Sequence, residues 1–132
     1  MRALFLSRQH WQAMQRRVEE EAPLEACGLL AGKGDKVEQV IGIRNQAQSP
    51  VRFVMDAHEQ LEAFNWMESN GIDLLGIFHS HPAGPETVSA TDIAEAAYPV
   101  VHVVWSRPHG IWQARGFWIE AENVVEVVLQ VE

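Results

Sequence analysis

A chain of 132 residues, 47% of them hydrophobic, has the size of one domain and enough apolar material for a real core. Its 10 Lys+Arg against 18 Asp+Glu give a formal charge of −8, so there is no basic surplus for binding nucleic acid or an anionic membrane. The single cysteine, Cys27, excludes an intrachain disulfide and any cysteine-only zinc cluster.

The chain starts MRALFLSRQ, with an apolar run of only four residues (ALFL) before Ser7 and Arg8. A secretory core needs about 7–15 such residues and a membrane span roughly 20, so a cytoplasmic protein is expected. Ser7 can cap a helix to about residue 21, with Trp11, Met14 and Val18 on one face and Pro23 just past its end. EACGLLAG at 25–32 suits a short buried strand closing on a Gly32-x-Gly34 turn, with KVEQVIGI at 36–43 as its hairpin partner. VRFVM at 51–55 reads as a further strand after Pro50. Asp56 can cap a helix over 57–70 with Ala57, Leu61, Phe64 and Met67 inward, stopped by Asn70-Gly71. IDLLGIFHS, apolar on both faces, reads as a central strand, and Ser89 opens a short helix to about Ala97. PVVHVVWS, IWQARGFWIE and NVVEVVLQVE supply three more strands. Nothing resembles a repeat or linker. The order predicts one α/β (α+β) domain over 1–132, a mixed sheet with helices packed on it.

The segment GIFHSHPAGPETVSATD, residues 76–92, carries the chemistry. On a strand, His79 and His81 point to one side and Ser80 to the other. Two imidazoles at a strand end can reach one ion. The stretch PAGPETV can turn the chain so that the next helix begins beside them, bringing Asp92 as third ligand. Three protein ligands leave a fourth position open, the pattern of a catalytic zinc site. Glu25, a carboxylate opening an apolar run, is the candidate general base, and the Ser89 hydroxyl can donate to an oxyanion. Each piece has a plainer reading. Ser-x-x-Asp is a helix capping box by pattern, His-x-His is a weak signal, and Glu25 alone could be a solvated strand-edge residue. Their joint occurrence is the informative observation.

That joint pattern closely resembles the JAMM (MPN+) zinc metallopeptidases: Glu, then His-x-His-Pro, six residues, then Ser-x-x-Asp. Every position is filled, by Glu25, His79, His81, Pro82, Ser89 and Asp92. The resemblance implies a cytidine-deaminase-like three-layer arrangement. It implies one Zn²⁺ on His79, His81 and Asp92, with Glu25 as general acid/base and Ser89 assisting the oxyanion. It also implies hydrolysis of peptide or isopeptide bonds that follow the C-terminal Gly-Gly of ubiquitin-like proteins. Lacking the insertions of the larger members, the chain is most similar to the small prokaryotic ones, whose partners are ubiquitin-like sulfur-carrier proteins.

Two rivals differ in class. A non-catalytic MPN-type module would bind a ubiquitin-like partner without turnover. A zinc deaminase would need His-x-Glu with Pro-Cys-x-x-Cys, which one cysteine cannot supply. Residues 83–88 or the segment around 51–56 are expected to line the substrate groove. Phe53, Trp105 and Trp112 are aromatic groove candidates that fit the core better. His58, His102 and His109 read as structural or surface, and Cys27 as a small buried hydrophobe on the same side as Glu25.

Overall fold

The computed structural model describes residues 1–132. The elements run β1 (Ala3–Leu6), α1 (Arg8–Glu21), β2 (Cys27–Lys33), β3 (Lys36–Ile43), α2 (Ala57–Ser69), β4 (Asp73–His81), α3 (Ala90–Ala94), β5 (Val100–Ser106), β6 (Gln113–Glu120) and β7 (Asn123–Val131). The strand order is β1-β3-β2-β4-β5-β6-β7, and β1 lies parallel to both β3 and β7, closing the sheet on itself. The arrangement is mixed: β4 and β5 are parallel, while β2–β3, β2–β4, β5–β6 and β6–β7 are antiparallel.

Alternation along the central strands loads both faces of the sheet. Leu30, Phe78, Val101, Val103 and Trp105 face one way and pack with Met14 and Val18 of α1. Leu29, Ala31, Ile77 and Val100 face the other way and pack with Ala63 and Met67 of α2. This is why β4 reads as apolar throughout. Ser7 caps α1 as expected, its Oγ accepting from the His10 N–H at 3.1 Å, while His10 Nδ1 accepts from the Ser7 N–H. Trp11 of α1 tilts against Trp105 at 4.7 Å. Gly34 closes the β2–β3 hairpin at φ +64°, a left-handed conformation that glycine adopts without strain. At Gly28 any Cβ would run into the Phe78 ring and the Ile41 carbonyl, so the absent side chain lets β2 and β4 carry a full aromatic between them.

Four expectations are corrected. ALFL forms β1, an element the sequence reading left out; its four residues have only β3 and β7 to pair with. Residues 51–55 form no strand, apart from a single bridge between Asn45 and Met55. The reason is Asn45, whose buried amide donates to the Glu25 and Arg52 carbonyls and accepts from the Ala47 and Val54 N–H groups. Those bonds use the groups a strand ladder would need. In α2 the inward face is Ala63 and Met67 with Phe64 half-buried, whereas Ala57 is exposed and Leu61 is 58% exposed. Finally, α3 ends at Ala94, with Glu95 as its C-cap, short of Ala97.

Candidate metal centre

The C-terminal end of β4 is where the site forms. Its parallel neighbour β5 requires a crossover connection, and the chain makes that crossover through residues 82–99. The turn is tight at first: the Gly84 N–H donates to the His81 carbonyl at 2.9 Å, with Gly84 at φ +84°. The chain then folds back until the Pro85 carbonyl accepts a hydrogen bond from His81 Nδ1 at 2.8 Å. Only a proton on Nδ1 can make that bond, so neutral His81 presents a lone pair on Nε2. Ser89 starts α3, and the first turn of that helix delivers Asp92.

His79, His81 and Asp92 converge. His79 Nε2 lies 3.0 Å from His81 Nε2 and 3.1 Å from Asp92 Oδ2, and His81 Nε2 lies 3.2 Å from the same oxygen. The three are buried or nearly so, with side-chain exposures of 0%, 4% and 8%. A four-coordinate ion with bonds of about 2.0–2.1 Å spaces its donor atoms by about 3.3 Å, close to this triangle. The chemistry of the donors also fits a cation. The His81 Nε2 lone pair and an Asp92 carboxylate oxygen face each other, and one proton on His79 Nε2 cannot satisfy both. Glu25 completes the cluster: one carboxylate oxygen lies within 4.8 Å of a ring nitrogen of each histidine.

Electrostatics agree with the geometry. Burial opposes the charge on Asp92, but the facing ring nitrogens of His79 and, when it is protonated, His81, the charge of His79 and the Ser89 N–H hold its carboxyl well below the usual range. Burial pushes His79 down. It also works against His81, but Asp92, the Pro85 carbonyl and Glu25 outweigh it and raise that ring. Burial lifts Glu25 to about 7, against the lowering influence of His81.

Glu25 is 3% exposed and its Oε1 has no hydrogen-bond partner. Its backbone is fixed from two directions. Its N–H donates to Ser49, and its carbonyl accepts from Asn45. The next residue, Ala26, donates to the Ser80 hydroxyl at 2.8 Å and accepts from the Ser80 N–H at 3.1 Å. Ser80, pointing away from its two flanking histidines, therefore ties the Glu25 segment to the histidine strand.

Ser89 and Asp92 do form a capping box. Ser89 Oγ accepts from the Asp92 N–H at 3.0 Å, and Asp92 Oδ2 accepts from the Ser89 N–H at 2.8 Å. The capping oxygen is the same Oδ2 that faces the histidines. The hydroxyl only accepts in that box, which leaves its hydrogen free to donate.

Phe53 is half-buried and stacks on His79 at 4.6 Å, with 28° between the rings. His79 Nδ1 has no partner, so stacking adds to the hold that the contacts at Nε2 have on the ring. A cavity of about 240 Å³ lies beside Asp92, between the 51–55 segment and α3, with His102 among its walls. Trp105 is core, Trp112 packs against that core, and Cys27 is buried with Sγ 3.4 Å from the Ile43 carbonyl. His58 pairs with Glu62 on the surface, and His109 is an exposed turn residue. Residues 83–86 line a separate surface pocket with Ser106 and Arg107. Sequence reasoning set aside His102 and gave Phe53 to the core. The signal for His102 was present: it is the one polar residue in the apolar run PVVHVVW.

Residues 7–120 match the family described as prokaryotic homologs of the JAB domain (Prok-JAB). The chain belongs to that family, the small prokaryotic branch of the JAMM/MPN+ metallopeptidases whose motif it carries. It is 35% identical over 127 residues to a desampylase from Pyrococcus furiosus, spanning 94% of this chain and 88% of that one. It is 40% identical over 111 residues to a probable TtuB-protein conjugate cleaving protease from Thermus thermophilus, spanning 83% and 72%. The solved structure of protein DSY2949 from Desulfitobacterium hafniense superposes with a TM-score of 0.86 at 36% identity, covering 98% of this chain and 92% of that one.

Proposed function

We propose that this chain is a zinc-dependent peptidase or isopeptidase that hydrolyses the bond after the C-terminal Gly-Gly of a ubiquitin-like or sulfur-carrier protein. The observation that carries the reading is the triangle of His79 Nε2, His81 Nε2 and Asp92 Oδ2 with sides of 3.0, 3.1 and 3.2 Å, beside the buried carboxylate of Glu25. His79, His81 and Asp92 are the ligands of one zinc. Two nitrogens and one carboxylate oxygen suit that ion and leave a position open for substrate or water. Zinc in such a site supplies a Lewis acid that polarises a carbonyl and lowers the pKa of water toward about 7.

The remaining work falls to the chain's own residues. Glu25 accepts a proton from the attacking water and delivers it to the leaving nitrogen. Burial raises its carboxyl to about 7 without a cation; a cation at the histidines would draw it back toward the ordinary carboxylate range and leave it ionised to accept a proton. Ser89 donates its free hydroxyl hydrogen to the substrate oxygen as negative charge develops there. Phe53 and the Pro85 carbonyl keep the two imidazoles aimed. A Gly-Gly tail is slender enough to reach the histidines in extended form.

Two relatives are a desampylase and a probable protease cleaving TtuB-protein conjugates, which supports a conjugate of a small protein as substrate. Helix α1 on one face of the sheet and α2 on the other support the cytidine-deaminase-like three-layer reading, with 1–132 as one domain. No helix is long and apolar enough to cross a membrane, and the lone cysteine suits a cytoplasmic site of action.

The test is mass-spectrometric cleavage of a ubiquitin-like carrier bearing a short extension after Gly-Gly, with and without a chelator. Chelator-sensitive release at the Gly-Gly junction is expected. Binding of the carrier without release, by protein holding one zinc, would instead identify a non-catalytic module.

A further inference from the structure

Among the buried polar side chains outside the catalytic set, one is an imidazole with both nitrogens unpartnered. His102 is 3% exposed on β5, and neither of its ring nitrogens has a hydrogen-bond partner. It sits on the same face of the sheet as His79, paired in register with Ile77. Burial, followed by the charge of His79, lowers its pKa to about 4, so the ring is neutral and offers one N–H donor and one lone pair. Buried polar groups are nearly always satisfied, and leaving one unsatisfied is costly.

The ring forms part of the wall of the 240 Å³ cavity, whose apolar walls are Phe53, Met55, Ile77 and Tyr98 and which also reaches Ser89 and Asp92. Pockets for whole ligands run roughly 300–1,000 Å³, so this one has the size for a single side chain. Arg52 and Glu95, also in its wall, lie 3.9 Å apart and offset each other's charge, which favours an uncharged occupant. Glycine has no side chain to put there. The occupant must come from the residue before the Gly-Gly pair or from the group after the scissile bond.

We propose that this cavity is a substrate side-chain subsite and His102 its specificity-determining residue, selecting an uncharged side chain with an apolar stem and a hydrogen-bonding end. The proposal rests on the peptidase reading above.

The test uses zinc-loaded protein and carrier substrates that differ by one isosteric pair, Thr/Val, Gln/Met or Tyr/Phe, at either position. The polar member of at least one pair should be cleaved with a kcat/KM about tenfold above its apolar partner, at one of the two positions. In His102→Leu that ratio should fall to about one. Because the ratio is taken within each enzyme, partial loss of folded protein cancels. Ala96→Leu, which fills the same cavity from another wall, should raise KM for bulky side chains relative to alanine at that position. The position showing the preference identifies the source of the side chain. Ratios near one at both positions in the unaltered protein, or a ratio that survives His102→Leu, would overturn the subsite while leaving Gly-Gly cleavage intact. No cleavage of any substrate would refute the peptidase reading, and the subsite with it.

Discussion

Replacing Ser80 with alanine removes one hydroxyl whose bond is to the Ala26 N–H and not to His79 or His81, yet the geometry predicts losses in both stability and turnover. Ser80 is 0% exposed and its partner Ala26 is 1% exposed. The Ser80 hydroxyl accepts the Ala26 N–H at 2.8 Å, and no water can reach that N–H once the hydroxyl is gone. Stranding a buried donor costs about 1–3 kcal/mol. For a chain of this length that lowers Tm by about 4–12 °C. The bond from the Ser80 N–H to the Ala26 carbonyl, 3.1 Å, survives, so the strands stay paired and the damage stays local. It falls on the residue next to Glu25, whose carboxylate must stay in place relative to the histidines. Small misplacements of a catalytic group are costly, and kcat should fall by about tenfold or more while zinc content holds at one per chain. Circular-dichroism melting, metal analysis and single-substrate kinetics on the same preparation would test this. A Tm within about 1 °C of the original together with unchanged kcat would refute the claim that Ser80 anchors the Glu25 segment.

Other consequences follow from the same contacts. Phe53→Ala removes the ring that stacks on His79 and should weaken zinc affinity by about 10–100-fold in competition with a chromophoric chelator; unchanged affinity would leave Phe53 a groove wall only. Ser89→Ala should retain zinc, lower kcat by about 10²-fold through loss of the oxyanion donor, and cost about 1 kcal/mol through loss of the α3 cap. A change in stability alone would reduce Ser89 to a cap. His102 gives a pH signature. Its folded pKa of about 4 lies below its ordinary 6.5, so its contribution to stability is full above pH 6.5 and is lost as pH falls toward 4, about 3 kcal/mol in all. Urea unfolding of zinc-loaded protein should therefore show the original losing more stability between pH 7 and pH 4 than His102→Gln does. Parallel losses in the two would contradict a neutral buried imidazole.

Much of this architecture is legible before any coordinates. Ser7 announces α1, and the apolar positions of α1 and β4 report burial directly, because local patterning and tertiary packing agree there. The triangle is legible for a similar reason: strand alternation forces His79 and His81 to one side, and a Pro/Gly turn with a capping serine returns Asp92 to the strand end. The misreadings occur where a single side chain overrides the pattern. VRFVM has strand-like composition, but Asn45 spends the backbone groups of that segment in a loop. Leu61 looks inward by spacing from Ala57, yet the buried stripe runs through Ala63 and Met67. β1 was too short to register, since its pairing with β7 is settled at the far end of the chain. For His102, and for the choice of core over groove at Phe53, the sequence shows that a residue is apolar or buried without showing which cavity lies beside it.

The most direct test pairs zinc content with turnover in Glu25→Gln. The substitution keeps the shape of the side chain and leaves His79, His81 and Asp92 untouched, so the account predicts one zinc per chain and cleavage after Gly-Gly reduced by about 10²–10⁴-fold relative to the original protein. Cleavage at the original rate by zinc-loaded Glu25→Gln, or loss of zinc along with activity, would contradict the role given to the carboxylate.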